Sequence, residues 1–145
     1  MPTQIVRTMR ADQQLRGLDR AKQRRVLDFL RELEANGCVA LGYRLTGPEP
    51  LDRLCAKHLG GALRAIVAFE SEAKAWLLLV AEHKDDDPEF NIYAELYRTV
   101  DREPEPSEKR AKPPCCGEDE TPPAIGSLAE DIALRVVAVR RTRRR

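Results

Sequence analysis

Residues 63–83 hold two extended apolar runs with a short turn between them, and this arrangement most constrains the fold. In residues 63–70, Leu63, Ala65, Val67 and Phe69 alternate with Arg64, Ile66 and Ala68, the two-residue period of a strand. Residues 75–83 are almost continuously apolar, which suits a central strand covered on both faces. Residues 71–74 leave room only for a tight reversal, because a parallel pair needs a long crossover. The Gly60-Gly61 pair marks another turn, and residues 52–59 alternate weakly. Residues 57–83 therefore read as a three-stranded antiparallel meander.

Upstream the period is helical. Val26, Phe29, Leu30 and Leu33 fall at i, i+3, i+4 and i+7, one apolar stripe on a helix over 20–35. Asn36-Gly37 is a left-handed stop signal. Residues 11–18 are helical in composition, weakened by Gly17, and residues 4–7 fit a short first strand. The two helices are expected to form a hairpin. Residues 42–50, with Gly42, Gly47, Pro48 and Pro50, read as loop. Residues 88–100 return to a helical pattern through Ile92, Leu96 and Val100. Helices segregated from an antiparallel sheet make the class α+β. Aromatics are only 5% of the chain, so Leu, Val, Ile and Ala must fill the core.

Residues 103–123 hold six of the ten prolines and many charges, with no apolar period, and read as a linker. Ser127 and Glu130 match a capping box. Leu128, Ile132, Val136 and Val139 then form a helical stripe, although Val136, Val137 and Val139 also suit a strand. Three units result: 1–101 a domain, 102–126 a Pro-rich charged linker, and 127–145 an amphipathic segment ending in five arginines among the last six residues. The last unit is expected to be tethered and separate, its arginines either a nucleic-acid arm or a solvated end.

The four cysteines, Cys38, Cys55, Cys115 and Cys116, form no CxxC and have no His at zinc-finger spacing. Neighbouring Cys115 and Cys116 do not readily bond each other. Reduced thiols in a cytoplasmic protein are expected. Residues 1–10 lack the apolar segment of a signal peptide, and no apolar run is long enough for a membrane span. The net charge is +1, but residues 1–81 carry thirteen basic and nine acidic side chains, a net of +4.

Within residues 57–100 the chain reads KHLGGALRAIVAF, then WLLLVAEHKDDD, then IYAEL. A strand lysine, a glycine turn, an arginine opening the next strand, a buried strand ending in a basic cluster and a Tyr-containing helix follow in order. This pattern, behind a short strand and two helices, resembles the RelE/ParE toxins of bacterial type II toxin–antitoxin pairs. It runs to Val100 and says nothing about the chain beyond. The resemblance implies a RelE/ParE-like domain over 1–101, with a helical hairpin packed on a small antiparallel sheet and a C-terminal extension. RelE-like members cut messenger RNA in the ribosome without a metal. The 2′-hydroxyl attacks the adjacent phosphate, which requires a base, positive charge on the phosphorane and an acid for the leaving oxygen.

The resemblance places Lys57, Arg64, His83, Lys84 and Tyr93 in the catalytic site; without a gap Phe90 takes the place of Tyr93. It implies no cofactor or metal, and it implies a cognate antitoxin, messenger RNA and the ribosome as partners, with no membrane. Asp85, Asp86 and Asp87 depart from the pattern and read as a solvated turn. His58 points away from Lys57 if that segment is extended. Trp76 reads as core. The alternatives are a ParE-like inhibitor that binds DNA gyrase without cutting nucleic acid, and an inactive homologue.

Overall fold

A computed structural model describes residues 2–47, 49–82, 92–100 and 113–143, with side chains in the last stretch to Val136. The chain is α+β. Its elements are β1 (Gln4–Arg7), α1 (Met9–Arg16), α2 (Arg20–Asn36), β2 (Tyr43–Arg44), β3 (Cys55–His58), β4 (Leu63–Ser71), β5 (Lys74–Glu82), α3 (Ile92–Thr99) and α4 (Leu128–Arg143).

Local chemistry sets the N-terminal boundaries. The Thr8 hydroxyl accepts from Ala11 N at 2.9 Å, capping α1, and donates to Leu78 O at 2.8 Å, tying that cap to the sheet. Asp19 caps α2 by accepting from Lys22 N at 2.9 Å. Gly37, at φ 63°, ends α2 where the Asn36-Gly37 signal placed its end.

The strand order is β1-β5-β4-β3-β2. β3, β4 and β5 form the expected antiparallel meander. Two features correct the sequence reading. β1 lies parallel to β5, with Val6 opposite Trp76, so the sheet is mixed; the two helices and three strands between them supply the long connection that a parallel pair needs. Tyr43–Arg44, expected in a loop, is a fifth strand pairing Ala56 and Cys55, and two residues are too few to show a period. Beyond Leu77, which bonds Thr8 N, the edge of β5 is met by α1: Gln14 Oε1 accepts from Val80 N at 2.9 Å.

Each sheet face carries its own core. Ala11, Leu15, Val26, Phe29 and Leu33 of α1 and α2 pack on Ala65, Val67, Phe69, Ala75 and Leu77. On the other face Ile92 and Leu96 of α3 and Ala129, Ile132, Ala133 and Val136 of α4 cover Ile66, Ala68, Leu78 and Leu79. A bulge between the β4 and β5 registers puts the consecutive Leu78 and Leu79 on that same face. Trp76, read as core, is only half-buried; its indole N–H donates to Glu70 and the Lys74 ammonium lies 5.2 Å from its ring centroid.

The C-terminal reading needs the largest correction. Residues 127–143 are not a separate tethered unit. α4 is helical and buries Ile132 and Val136 completely or nearly so against the sheet. The described part of the proposed linker, from Pro113, is bonded to the domain. Ile125 N donates to Phe69 O at 2.9 Å and Gly126 N to Glu70 O at 3.1 Å. Nor are the cysteines reduced: Cys38 bonds Cys116 and Cys55 bonds Cys115. Adjacency disfavours a bond between Cys115 and Cys116, but it does not prevent each from meeting a distant partner. The sequence separations of 78 and 60 residues make the loops long, and closing one loop of this size in an unfolded chain is worth about 4 kcal/mol in the chain-entropy account.

Candidate functional site

Strand alternation decides which side chains meet. In the β3–β4 ladder His58 stands opposite Arg64, and Lys57 opposite Ala65. Tyr43 of β2 stands opposite Ala56. Tyr43, Ala56, His58 and Arg64 therefore share one face, the face carrying α3. Tyr93, in the first turn of α3, packs against the same cluster as Tyr43. α3 is anchored beneath by a two-bond pair from α1. Arg10 Nε and Nη2 donate to the buried Glu95 carboxylate at 2.7 and 2.9 Å, and that bond is the first cause of the raised Arg10 pKa.

The Tyr43 hydroxyl is the hub. It lies 2.7 Å from Tyr93 Oη and 3.1 Å from His58 Nε2. The Tyr43 and His58 rings meet edge to face, with centroids 5.3 Å apart. At the start of β4, Arg64 Nη1 donates to Gly61 O at 2.8 Å and to Leu63 O at 3.1 Å, so the turn fixes its own arginine. Gly60 and Gly61 adopt φ of 107° and 55°, values that glycine takes at little cost. The Tyr93 hydroxyl is held well above the ordinary phenol value of 10.0, first by burial and then by the bond to Tyr43, while Arg64 pulls the opposite way without reversing the shift. Tyr93 therefore keeps its proton across the working pH range and is not a phenolate base. The array runs from half-buried Tyr93 through Tyr43 to exposed His58, an arrangement able to hand a proton between protein and substrate beside a fixed cation.

The Tyr93 shift makes a stability prediction. The unfolded chain releases this proton near pH 10, whereas the folded chain keeps it to higher pH. The contribution to stability is thus complete below about pH 10 and is lost as pH rises beyond it. The denaturant midpoint should fall on titration through that range, and fall less in Tyr93→Phe. An equal decline in both proteins would remove the burial account.

Of the residues singled out in the sequence, Arg64 and Tyr93 come together. Lys57 does not join them. It lies on the opposite face, because strand neighbours alternate, and pairs with Ala65 of the α1–α2 core. β3 contributes His58 instead. His83, Lys84 and Phe90 lie outside the described residues, as do Asp85, Asp86 and Asp87. Tyr43 was not singled out. It sits among loop-forming residues with no period, and only the ladder to Ala56 reveals it.

No family model and no curated protein matches the sequence. Among solved structures, the chain is similar to one described as the crystal structure of the toxin–antitoxin complex RelBE2 from Mycobacterium tuberculosis. The likeness has 20% identity and a TM-score of 0.48, and covers 58% of this chain and 100% of that one. Among the described residues no helix is long and apolar enough to cross a membrane.

Proposed function

We propose that this chain is the toxin of a toxin–antitoxin pair and cleaves messenger RNA in the ribosome by a metal-independent route. The observation that carries the reading is the hydrogen-bonded Tyr93–Tyr43–His58 array next to Arg64. Cleavage through the 2′-hydroxyl needs three things: a group to take that proton, a cation for the phosphorane and a donor for the leaving 5′-oxygen. His58, at the exposed end, takes the 2′-proton. Arg64 meets the phosphate as its charge grows. Tyr93, which keeps its proton, supplies the donor, with Tyr43 relaying protons between the two ends. A cyclic phosphate and a free 5′-hydroxyl result. His83 and Lys84, which lie outside the described residues, keep the catalytic assignment that the resemblance gives them, His83 for proton transfer; Lys57 gives up its place to His58.

Primer extension on transcripts from induced cells tests the reading. Cuts inside translated regions are expected. Intact transcripts with DNA damage would replace it with gyrase inhibition, and intact transcripts with undamaged DNA would mark an inactive homologue.

We further propose a cognate antitoxin as the stable partner. The exposed face of α2 presents Arg20, Arg24 and Arg31 around the exposed Leu27, with Asp28 3.6 Å from Arg31, a net positive face that suits an acidic partner segment. Co-expression with the adjacent reading frame should give a complex that co-purifies and suppresses toxicity. Free, harmless expression of this chain alone would count heavily against a toxin.

A further inference from the structure

We infer that Cys115 and Cys116, through their two disulfides, form a redox-sensitive clasp that positions Tyr43, so that a dithiol reductant weakens the site while the domain stays folded. The gating of activity rests on the ribonuclease reading; the positioning of Tyr43 does not.

β2 is an edge strand of two residues, and it carries the hub hydroxyl. On one side it is held by β3, with Gly42 N on Ala56 O at 3.0 Å and Leu45 N on Leu54 O at 2.8 Å. On its other side lies the cysteine segment. Arg44 N donates to Pro113 O at 2.7 Å, and Arg44 Nη2 donates to Cys115 O at 3.0 Å. The disulfides fasten that segment on both flanks of β2. Cys55 is the residue opposite Arg44 in the ladder. Cys38 lies in the single turn Gly37–Ala40 that leads into β2. Residues 113–117 form no helix or strand; the two disulfides hold them together with the Arg44 bonds and the burial of Cys115.

Opening the clasp leaves the rest standing. α4 keeps its buried residues on the sheet, and Ile125 and Gly126 keep their bonds to Phe69 and Glu70. What loosens is a two-residue edge strand whose tyrosine must stay in reach of two partners at once. A misplacement of about 1 Å at such a site can cost on the order of 10²-fold in rate.

The chemistry balances with a dithiol as reductant. Its thiolate attacks Cys116 Sγ, the more exposed sulfur, since Cys38, Cys55 and Cys115 are 3%, 0% and 1% exposed. Cys38 leaves as a thiolate and takes a proton. The second thiol of the reductant displaces Cys116 from the mixed disulfide and becomes the oxidised, cyclic product. Cys55 and Cys115 are both buried, so a second equivalent reaches their bond only after release of Cys116 has loosened the segment. Two electrons and two protons enter the protein per bond.

The test uses the full chain, oxidised and then reduced with dithiothreitol. It reads single-turnover cleavage on programmed ribosomes, the imidazole proton resonances of His58, and thermal unfolding. Reduction should lower the rate by roughly 10²-fold, shift the His58 resonances as Tyr43 leaves Nε2, and leave one cooperative transition at a lower midpoint. Arg44→Ala, with both disulfides intact, should move the same resonances in the oxidised chain. Unchanged His58 resonances on reduction would overturn the inference. So would loss of cooperative unfolding, which would make the clasp a structural staple. If neither redox state cleaves RNA, the ribonuclease reading falls and the His58 resonances alone decide the positioning.

Discussion

A chain truncated after Asp101 is expected to lose its cooperative fold. α4 buries Ile132 and Val136 over Ile66, Ala68, Leu78, Leu79, Ile92 and Leu96. Exposing a fully buried Leu or Ile costs about 1.5–3 kcal/mol. A few of these consume the roughly 5–15 kcal/mol that holds a typical domain together. Both disulfides go with the same segment. The milder variant Ile132→Ala keeps the chain whole and should cost about 2–5 kcal/mol, read as a shift in urea midpoint at unchanged slope. A truncated chain that unfolds cooperatively at the full-length midpoint would restore the picture of a separate C-terminal unit.

The second large effect is expected at the site. Arg64→Ala should slow cleavage by about 10²–10³-fold, the usual cost of removing one preorganised group that stabilises transition-state charge. His58→Ala should slow it by about 10²–10⁴-fold if the imidazole takes the 2′-proton. His58 is exposed, so its loss should leave thermal unfolding unchanged. Lys57→Ala serves as the contrast: on the other face, it should change the rate by less than about threefold on the same scale. Single-turnover rates at saturating ribosome decide all three. A folded Arg64→Ala at full rate, or a larger loss in Lys57→Ala than in His58→Ala, would remove the proposed assignment.

Much of the central sheet was legible because its signals are local. The alternation of Leu63, Ala65, Val67 and Phe69, the run through Val80, and the glycine pair before them require no distant partner to be read. The same holds for the stripe from Val26 to Leu33 and its Gly37 stop. The places of Arg64 at a strand start and of Tyr93 on a helix were legible, since a turn-opening arginine and a helical tyrosine keep their order along the chain.

The array itself was not legible. Its hub, Tyr43, lies on a strand of two residues that exists only through hydrogen bonds to β3 and to residues near Pro113. Which of Lys57 and His58 shares a face with Tyr43 and Tyr93 turns on which sheet face receives α3, and a one-residue step along a strand reverses the face. That decision is taken by packing and not by composition.

By itself the sequence determined the element types wherever the hydrophobic period persists over several residues, and with them the α+β class. The tertiary structure alone decided three things: the parallel placement of β1 beside β5, the docking of α4, and the partners of Cys115 and Cys116. Each joins segments far apart in the chain. A proline-rich, charged stretch reads as linker because it has no apolar period of its own. It was drawn onto the domain by two cysteines and by an apolar helix that only the far face of the sheet could cover.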